Sequence, residues 1–509
     1  MLVKLSENKN FLQVIDCTDI EFKQLQMSFR KRVKNWRFNP QVKRKLWDGY
    51  ISYIDSAGRI PVGLWNELTE VCKEHGFAVN FENFDLFKSP FTKEEYLSWV
   101  SATSFFDKKG NKIEPRDYQV NSVWLILKYK LSISEIATSA GKTLIMYMVL
   151  AFLRHKGLLK RMLIIVPNIS LIIQTYEDFQ DYSNKDTSLN LQMISGQTDK
   201  ELNEDTHTVI GTFQSLVKQP ATFFEGFDVV CVDEAHFTQA KSVKETLSKC
   251  RNVVYRFGLS GTLEKEDFAE RLTLQAFLGP IINKVSAEFL FQNKYATPVQ
   301  VKVIKLSYLD DDIREKLKQI RKRRNSIDGA KILDIERKLV IESDIRLKYI
   351  CDLVNNTTKN TLVLFHNVKA NYGKKIQERL FELSKDKDVF YVDGETDVNK
   401  REYFKQSLEH GENKVLIASF GTFSTGISVK NIHNIVFAES FKSDKIIRQS
   451  IGRGMRLHET KEKTNIIDIV DDFTYEGDKN FLIRHMEKRL EIYETQGFPF
   501  KIYDVNLLN

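Results

Sequence analysis

Short apolar runs alternate with longer segments of helical periodicity through most of the chain. The runs are rich in β-branched residues and apolar on both faces, which is typical of strands in a parallel sheet covered by helices. Between residue 115 and about residue 282 the pattern predicts a first parallel-sheet domain, with strands at 162–166, 208–211, 229–232 and 253–259.

The same alternation returns between residue 360 and about residue 472, without close sequence similarity to the first stretch. It predicts a second parallel sheet, with strands at 361–365, 389–392, 415–418, 435–438 and 466–470. The chain is therefore predicted to be an α/β protein with two similar sheet domains in tandem.

The remaining segments do not follow this alternation. Residues 1 to about 100 have the pattern of a small mixed α/β module, and residues 83–115 are predicted to be a connector. Residues 310–355 are predicted to be a helical connection between the two sheet domains. After residue 472 we expect one helix, at 480–496, followed by a short tail.

Composition narrows the class of protein. A length of 509 residues suggests roughly three or four domains. The net charge of +8 is compatible with a polyanionic partner. The five cysteines form no Cys-x-x-Cys pair, so we expect neither a zinc site nor disulfides, and a reducing environment. The chain shows no signal-peptide core and no run long enough to span a membrane, so we expect it to work in a cytoplasm without a membrane.

The stretch 138–143 has the residues of a phosphate-binding loop, between an extended run ending near Ile136 and an apolar helical segment. Backbone N–H groups of such a loop and helix start point at an anion. Lys142 would reach the outer phosphates, and the Thr143 hydroxyl would ligate Mg²⁺. The predicted nucleotide-binding residues are Thr138, Ser139, Ala140, Gly141, Lys142 and Thr143. A turn before a core helix is the alternative, because Ile136 and Ser139 depart from the glycine-rich pattern.

Two adjacent carboxylates, Asp233 and Glu234, follow the predicted strand at 229–232. Ligands of open parallel sheets bind off the carboxyl ends of strands. Asp233 would therefore hold Mg²⁺, and Glu234 would polarise an attacking water as general base. Capping of the next helix is the alternative, and the Gly-Lys-Thr loop upstream favours the catalytic interpretation.

Arg116 and Gln119 precede the phosphate-binding loop. The amide of a Gln offers one donor and one acceptor, as one edge of adenine requires, so both residues are candidates for binding the nucleotide base. The tetrapeptide at residues 116–119 is, by itself, weak evidence for binding of the nucleotide base.

In the second half the most specific pattern is Gln-x-x-Gly-Arg-x-x-Arg, formed around Gln449, Arg453 and Arg456. The two arginines are three residues apart and would share one face of a helix. Guanidinium groups there could reach polyphosphate oxygens as arginine fingers, and a plain basic helix face is the alternative. Upstream, small and hydroxyl residues suit a close approach to phosphates, and the candidates are Ser419, Thr422 and Gly426.

Residues 30–45 hold eight basic residues and no acidic one, with Trp36, Phe38 and Trp47 interleaved or just beyond. Cations neutralise phosphates and aromatic faces pack on sugars or bases, so we predict contact with nucleic acid. The candidates are Arg37, Lys43, Arg44 and Lys45. A solvated basic helix or hairpin is the alternative. A second basic run, 314–324, fits equally a solvated helix and a cationic element along a duplex.

The order of these motifs resembles that of superfamily 2 helicases. The matching stretches are 116–119, 138–143, 167–174, 233–236, 260–262, 418–428 and 449–456. Stretches 43–49 and 424–428 are most similar to the UvsW-type helicases of T-even phages, and that resemblance covers the whole chain.

The resemblance implies two RecA-like domains that close on ATP–Mg²⁺ and couple hydrolysis to movement along nucleic acid. It implies that Gln119 reads adenine and that Pro167, Asn168 and Thr212 contact the strand, with Asn168 standing where Thr is common. The implied order is an N-terminal DNA-binding domain, a first RecA-like domain, a helical connection, a second RecA-like domain and a helical C-terminal extension. Their boundaries are 1–100, 101–300, 301–355, 356–475 and 476–509.

The implied activity is that of an ATP-dependent DNA helicase that remodels forks, four-way junctions and R-loops in recombination, repair and replication. The implied partners are branched and single-stranded DNA, RNA–DNA hybrid, and single-strand-binding or recombination proteins. An RNA helicase and the motor subunit of a restriction nuclease stay open as alternatives. A binding protein with a silent ATPase fold is disfavoured by the intact Lys142, the acidic pair and the paired arginines.

Overall fold

The computed structural model describes residues 1–7, 10–82, 88–196, 198, 201–239, 241–261, 263, 268–322, 329–384, 386–426 and 429–507. The chain forms two compact units, one of Met1–Ala137 with Gly141–Val285 and the other of Thr138–Ala140 with Ser286–Asn509. No helix in the described ranges is both long and apolar enough to cross a membrane.

The first unit begins with a small mixed α/β module, as the sequence predicts. Its elements are β1 Leu2–Leu5, β2 Phe11–Asp16, α1 Asp19–Ser28, β3 Arg30–Arg32, α2 Pro40–Lys43, β4 Tyr50–Ser52, β5 Arg59–Pro61, α3 Trp65–Glu74 and β6 Asn80–Glu82. Four strands pair in the order β5-β2-β1-β6. The core of the module joins apolar residues of this sheet to Leu25 of α1 and Leu68 of α3. Strands β3 and β4 form a separate antiparallel ribbon.

The prediction of a connector at 83–115 is wrong for the part that the structure describes, and residues 83–87 lie outside it. The elements there are α4 Lys93–Ala102, β7 Phe105–Phe106 and β8 Lys112–Ile113. Thr92 and Glu95 cap the start of α4 reciprocally. Tyr96 and Trp99 of α4 each lie 5.2 Å, centroid to centroid, from Phe152, so apolar packing orders this segment.

The first parallel sheet confirms the four predicted strands and the extended run that ends at Ile136. Its elements are α5 Asp117–Tyr129, β9 Leu131–Ile136, α6 Lys142–His155, β10 Met162–Val166, α7 Ile169–Tyr182, β11 Leu191–Ile194, β12 Thr208–Thr212, α8 Phe213–Leu216, β13 Val229–Asp233, α9 Lys241–Lys249, β14 Tyr255–Ser260, α10 Phe268–Leu278 and β15 Ile281–Val285. The strand order is β11-β12-β10-β13-β14-β9-β15, with every described pairing parallel.

The second unit contains the second predicted parallel sheet and the predicted helices before it, but residues 301–307 of the predicted helical connection belong to a strand, Val299–Ser307, that pairs within this sheet. Because its burial alternates, this strand lacks the two-sided apolar run by which the other strands were recognised. The elements of the second unit are α11 Ala287–Gln292, β16 Val299–Ser307, α12 Asp311–Lys322, α13 Gly329–Glu342, α14 Asp344–Asn355, β17 Thr361–Phe365, α15 Tyr372–Leu383, β18 Val389–Val392, α16 Val398–His410, β19 Val415–Ser419, α17 Phe420–Gly426, β20 Asn434–Phe437, α18 Asp444–Gly454, β21 Thr464–Asp471, α19 Phe481–Thr495 and β22 Phe500–Asn506. The strand order is β18-β19-β17-β20-β21-β16-β22.

The C-terminal tail differs from the prediction, because it forms strand β22 and pairs in parallel with β16 along its length. Most residues of β22 are exposed, since it lies at the edge of the sheet. An edge strand lacks the two-sided apolar run by which the buried strands were recognised. The predicted helix at 480–496 is confirmed as α19.

Candidate nucleotide site and nucleic-acid surfaces

The predicted phosphate-binding loop joins β9 to α6, as the sequence indicates. Ser139 and Gly141 adopt left-handed backbone conformations, with φ of +69° and +73°. A Cβ added at Gly141 would lie 2.4 Å from the Gln119 side-chain nitrogen, so glycine is required there by both conformation and space. Lys142 and Thr143 are the first two residues of α6, where backbone N–H groups have no helical partner. The turn therefore has the features of an anion-binding loop.

The acidic pair lies at the carboxyl end of β13, the central strand of this sheet. Lys142 Nζ donates to Glu234 Oε1 at 3.2 Å. Glu234 Oε2 lies 3.3 Å from His236 Nδ1, and the same nitrogen lies 2.9 Å from Ser260 Oγ. The fold thus joins three predicted motifs into one cluster, in which the loop lysine contacts the candidate general base. Thr262 of the 260–262 motif lies outside the described residues.

Negative charge accumulates at Asp233, which is 8% exposed. Burial and then the neighbouring Glu234 raise the pKa of Asp233, while the charge of Lys142 opposes the rise. A divalent cation would relieve this excess, and carboxylate and hydroxyl oxygens, such as those of Asp233 and Thr143, are donors that suit Mg²⁺. No cluster of three or more His, Cys, Asp or Glu side chains in the described part could hold a metal alone.

Gln119 lies at the start of α5 and is only 4% exposed. Its Oε1 accepts from the backbone N–H of Arg116 at 2.9 Å, and its Nε2 donates to the carbonyl of Gly141 at 3.4 Å. The Arg116 guanidinium donates to Tyr118 Oη at 3.1 Å. The structure therefore brings Gln119 against the phosphate-binding loop, so that it links the start of α5 to the loop.

The candidate strand-contacting residues of the first sheet lie after its strands. Pro167 and Asn168 follow β10, and Asn168 Oδ1 caps α7 by accepting from the Leu171 N–H at 3.0 Å. Thr212 ends β12, is 5% exposed and donates to Ser215 Oγ at 3.1 Å. Both side chains thus make local hydrogen bonds at strand ends.

In the second unit Ser419 ends β19 and Thr422 lies in α17, which ends at Gly426. The Ser419 and Thr422 hydroxyls are 2.8 Å apart, and both residues are largely buried. They stabilise the turn from strand to helix. Ile427 and Ser428 of the predicted motif lie outside the described residues.

Gln449 and Arg453 lie in α18, but Arg456 lies two residues past its end at Gly454. The prediction that both arginines share a helical face is therefore wrong. Arg453 is half-buried, with its guanidinium 5.2 Å from the centroid of the Phe423 ring. Arg456 is also half-buried, and its carbonyl accepts from Thr297 Oγ1 at 3.0 Å.

Lys461 was not identified from the sequence, yet it fixes the end of α18. Its Nζ donates to the Gly454 carbonyl at 2.6 Å and to the Lys430 carbonyl at 3.1 Å, and the residue is 8% exposed. Burial and the nearby charge of Arg456 lower the pKa of Lys461 to about 7. A lysine among charged residues in a loop gives no signal that it will be buried.

In the described part of the second basic run Lys316 and Lys322 are exposed, as in a solvated helix, while two other cations are buried. Lys318 and Arg321 of α12 are buried, with Lys318 paired to Glu476. Arg321 Nε lies 2.6 Å from Asp478, and its Nη1 lies 3.4 Å from Glu336. These cations anchor α12 within the second unit and do not face a nucleic acid. Residues 323 and 324 of the run lie outside the described part.

A cavity of about 690 Å³ opens in the second unit beside α13 and the ends of β17 and β20. Glu439 lies in its lining and is 7% exposed. Its Oε2 accepts from the backbone N–H groups of His366 and Asn367, at 2.8 and 3.0 Å. Arg337 of α13 and Lys369 after β17 also line the cavity, so two cations and a fixed carboxylate share its lining.

The first basic run forms β3 and the beginning of a loop, residues 33–49, which we call the basic arm. The arm leaves β3 and returns to β4, and it is closed by a hydrogen bond from the Val33 N–H to the Gly49 carbonyl at 2.9 Å. Its candidate contact residues, Arg37, Lys43, Arg44 and Lys45, are all exposed. The structure thus presents the predicted cations to solvent.

Three family models match the chain. The model described as "Type III restriction enzyme, res subunit" matches residues 112–265, and "Helicase conserved C-terminal domain" matches residues 345–458. The model described as "DNA helicase UvsW, N-terminal" matches residues 5–82, which form the N-terminal module.

Individual relatives extend the similarity over the full length. The chain is 30% identical over 513 residues to the ATP-dependent DNA helicase uvsW of Enterobacteria phage T4, covering 97% of each chain. A crystal structure of T4 UvsW matches with a TM-score of 0.51 at 29% identity, covering 100% of this chain and 99% of that one. A putative helicase of Sulfolobus islandicus filamentous virus is 24% identical, covering 82% of this chain and 72% of its own length.

Proposed function

The chain belongs to the UvsW family of superfamily 2 DNA helicases, and from that premise we propose that it remodels branched DNA. It is an ATP-dependent helicase that acts on nucleic acid. The finer proposal is that forks, four-way junctions and R-loops are its substrates in recombination, repair and replication.

The observation that carries this proposal is the attachment of the module with the basic arm to the sheet domain that holds the phosphate-binding loop. Tyr53 Oη donates to the Ala269 carbonyl of α10 at 2.5 Å, and Arg256 of β14 donates to Asn10 Oδ1 at 2.7 Å. Leu131 and Leu272 belong to the core of the module. A cationic grip fixed to the domain that binds nucleotide can transmit force to a duplex, as separation of strands at a branch requires.

We propose that the loop 138–143 cradles the phosphates of ATP and that Lys142 exchanges Glu234 for the outer phosphates. Thr143 and Asp233 would hold Mg²⁺, which supplies charge neutralisation at the phosphates when bound. Glu234, released from Lys142, then accepts a proton from the attacking water. Support comes from the 3.2 Å contact of Lys142 with Glu234 and from the raised pKa of Asp233.

We propose that Arg116 and Gln119 bind the adenine base, which requires Gln119 to release one of its internal hydrogen bonds. Gln449, Arg453, Arg456 and Gly426 are proposed to act on the polyphosphate, with the arginines stabilising the charge that develops during hydrolysis. The resemblance of these stretches to helicase motifs supports both roles.

The proposed strand contacts of the sheet domains are Pro167, Asn168, Thr212, Ser419 and Thr422. They lie at the carboxyl ends of parallel strands, where ligands of such sheets bind. The proposed duplex contacts are Arg37, Lys43, Arg44 and Lys45 in the basic arm. Further proposed partners are RNA–DNA hybrid and single-strand-binding or recombination proteins. The phage relative supports work in a host cytoplasm.

Stimulation of ATP hydrolysis tests the proposal. The hydrolysis rate is measured with single-stranded DNA, linear duplex, fork, four-way junction and single-stranded RNA at equal nucleotide concentration. We expect the fork and the junction to stimulate more than linear duplex, and RNA to stimulate least. Strongest stimulation by RNA would support an RNA helicase instead.

A further inference from the structure

The basic arm holds its shape through packing at its base. Gly49 has a φ of +81°, and a Cβ there would lie 2.9 Å from Trp36 Cβ, so Trp36 packs directly on the arm's end. Trp47 Nε1 donates to the Tyr50 carbonyl at 2.8 Å. Asn39 Oδ1 accepts from the Gln41 N–H at 2.9 Å and caps α2. The arm is therefore a structured projection that can present side chains in fixed positions.

The arm carries an excess of positive charge. Among the described residues, no carboxylate lies within 4.0 Å of the cationic groups of Arg37, Lys43, Arg44 or Lys45. Asp48, the one acid in the arm's sequence, is paired with Arg30 of β3. Such a surface attracts a polyanion and does not favour an apolar partner that carries no negative charge.

Two large apolar side chains project among these cations. Phe38 is 74% exposed and Leu46 is 75% exposed, and Ile20 is the one described large apolar residue with a higher exposed fraction. Backbone hydrogen bonds hold both residues, from the Phe38 N–H to the Asn35 carbonyl and from the Leu46 N–H to the Gln41 carbonyl, each at 2.9 Å. Lys43 Nζ lies 5.9 Å from the centroid of the Phe38 ring. A partner that is both anionic and apolar would cover these exposed apolar groups and neutralise the cations of the arm.

We propose that Phe38 and Leu46 form an apolar wedge that contacts base faces at a DNA branch point, and that this contact distinguishes branched from linear DNA. The proposal rests on the proposed function. Base faces in an intact duplex are covered by stacking, but the last pair before a branch has an exposed face. Apolar side chains in other proteins insert between base steps in this way, and cations beside them neutralise phosphates.

The way in which the arm is attached to the first sheet domain suits a wedge. Lys31 Nζ of β3, at the base of the arm, lies 4.8 Å from the centroid of the Phe268 ring in α10. With the contacts of Tyr53 and Arg256, this fixes the N-terminal module and the base of the arm to the first sheet domain. Side chains held on that domain stay in place while DNA is drawn past them.

The test compares the full-length protein with the double variant Phe38→Ala/Leu46→Ala. Its matched control is Ile20→Ala/Met27→Ala, which removes exposed apolar groups from α1 in the same module but outside the arm. Affinity for a fork and for linear duplex of equal length is measured without ATP. A fluorescent adenine analogue in the pair next to the branch reports unstacking.

We expect the double variant to lose about tenfold or more of its fork affinity, since contact with one base is typically of that size, and to keep its affinity for linear duplex. The fluorescence change at the branch should disappear, the control should match the parent, and Phe38→Trp should retain fork preference. Unchanged fork affinity, or an equal loss on fork and linear duplex, would overturn the wedge. If the parent failed to remodel forks with ATP, the proposed function would be contradicted instead. Because the binding measurement needs no ATP, it tests the wedge separately from the proposed function.

Discussion

Glu234, the proposed general base, has a strained backbone. Its φ of +51° lies in the left-handed region, which costs a non-glycine residue about 1–3 kcal/mol. The strain places the carboxylate between Lys142 and His236 at the end of β13. This conformation was not predictable from the sequence, because φ at a strand end depends on the contacts made after folding.

The first prediction concerns Glu234 and Lys142. Glu234→Gln keeps the shape of the side chain and removes the base, so hydrolysis should fall by about 10²-fold or more while ATP still binds. Lys142→Ala removes the charge for the outer phosphates, so binding and hydrolysis should fall together. The turnover rate and the affinity for ATP, measured for both variants and the parent, check these two outcomes. Hydrolysis at the parental rate in Glu234→Gln would exclude it as general base.

The second prediction concerns Arg456. If it stabilises the transition state, Arg456→Ala should lower kcat by about 10³-fold with little change in KM for ATP. Arg448→Ala is the matched control, because Arg448 lies in α18 and pairs with Asp444 at 2.5 Å. Loss of ATP affinity at an unchanged kcat would show that Arg456 binds only the ground state.

The third prediction uses the lowered pKa of Lys461, which is about 7 in the folded protein against 10.5 unperturbed. Between these values the unfolded chain binds the additional proton, so the free energy of unfolding should rise with pH by up to about 1.4 kcal/mol per unit. Thermal unfolding midpoints from pH 7 to 10 measure this. Lys461→Met should lose that part of the rise, and an equal rise in both proteins would show that Lys461 is not responsible.

At the scale of elements, strands buried on both faces were predictable, whereas β11 and β16, whose residues are only partly or alternately buried, were missed. Strands at 162–166 and 361–365 match β10 and β17, because both faces of these strands are covered by apolar packing. Strands β15 and β22 at sheet edges, and helix α4, were missed, since their residues are only partly buried or their packing partners are distant in sequence.

The candidate site was largely predictable, because each motif directly follows a strand or opens a helix. Its internal contacts were not predictable. The hydrogen bonds of Gln119 to Gly141 and of His236 to Ser260 join residues far apart in the chain. The position of Arg456 beyond α18 depends on Lys461, whose burial no local pattern indicates.

The fourth prediction concerns the basic arm as an element. If it grips duplex through phosphates, changing Lys43, Arg44 and Lys45 to Ala should flatten the dependence of log affinity on log salt. Each phosphate contributes about −0.9, so the slope should change by up to about 2.7. Lys73, Lys108 and Lys109, also exposed, are the control triple of equal charge.

Duplex and fork affinities at several salt concentrations provide this measurement. The control triple should keep the parental slope. An arm variant with the parental slope would show that its cations are merely solvated, and would leave strand contact to the sheet domains.

At the scale of the whole molecule, family membership and architecture point to one account. The chain combines two parallel-sheet domains of a helicase with an N-terminal module that is fixed to the first of them. Lys142, the acidic pair and the basic arm therefore belong to one compact unit, whereas the second unit contains Thr138–Ala140 of the loop and the arginine motif. This arrangement suits a motor that moves DNA past a fixed contact.

The most direct test is conversion of a synthetic four-way junction with mobile arms into linear duplexes. The parent should convert it only with ATP and Mg²⁺, Glu234→Gln should bind the junction without converting it, and linear duplex of equal length should stay intact. A junction left unconverted by the parent, or linear duplex opened equally fast, would contradict the claim that this helicase remodels branched DNA.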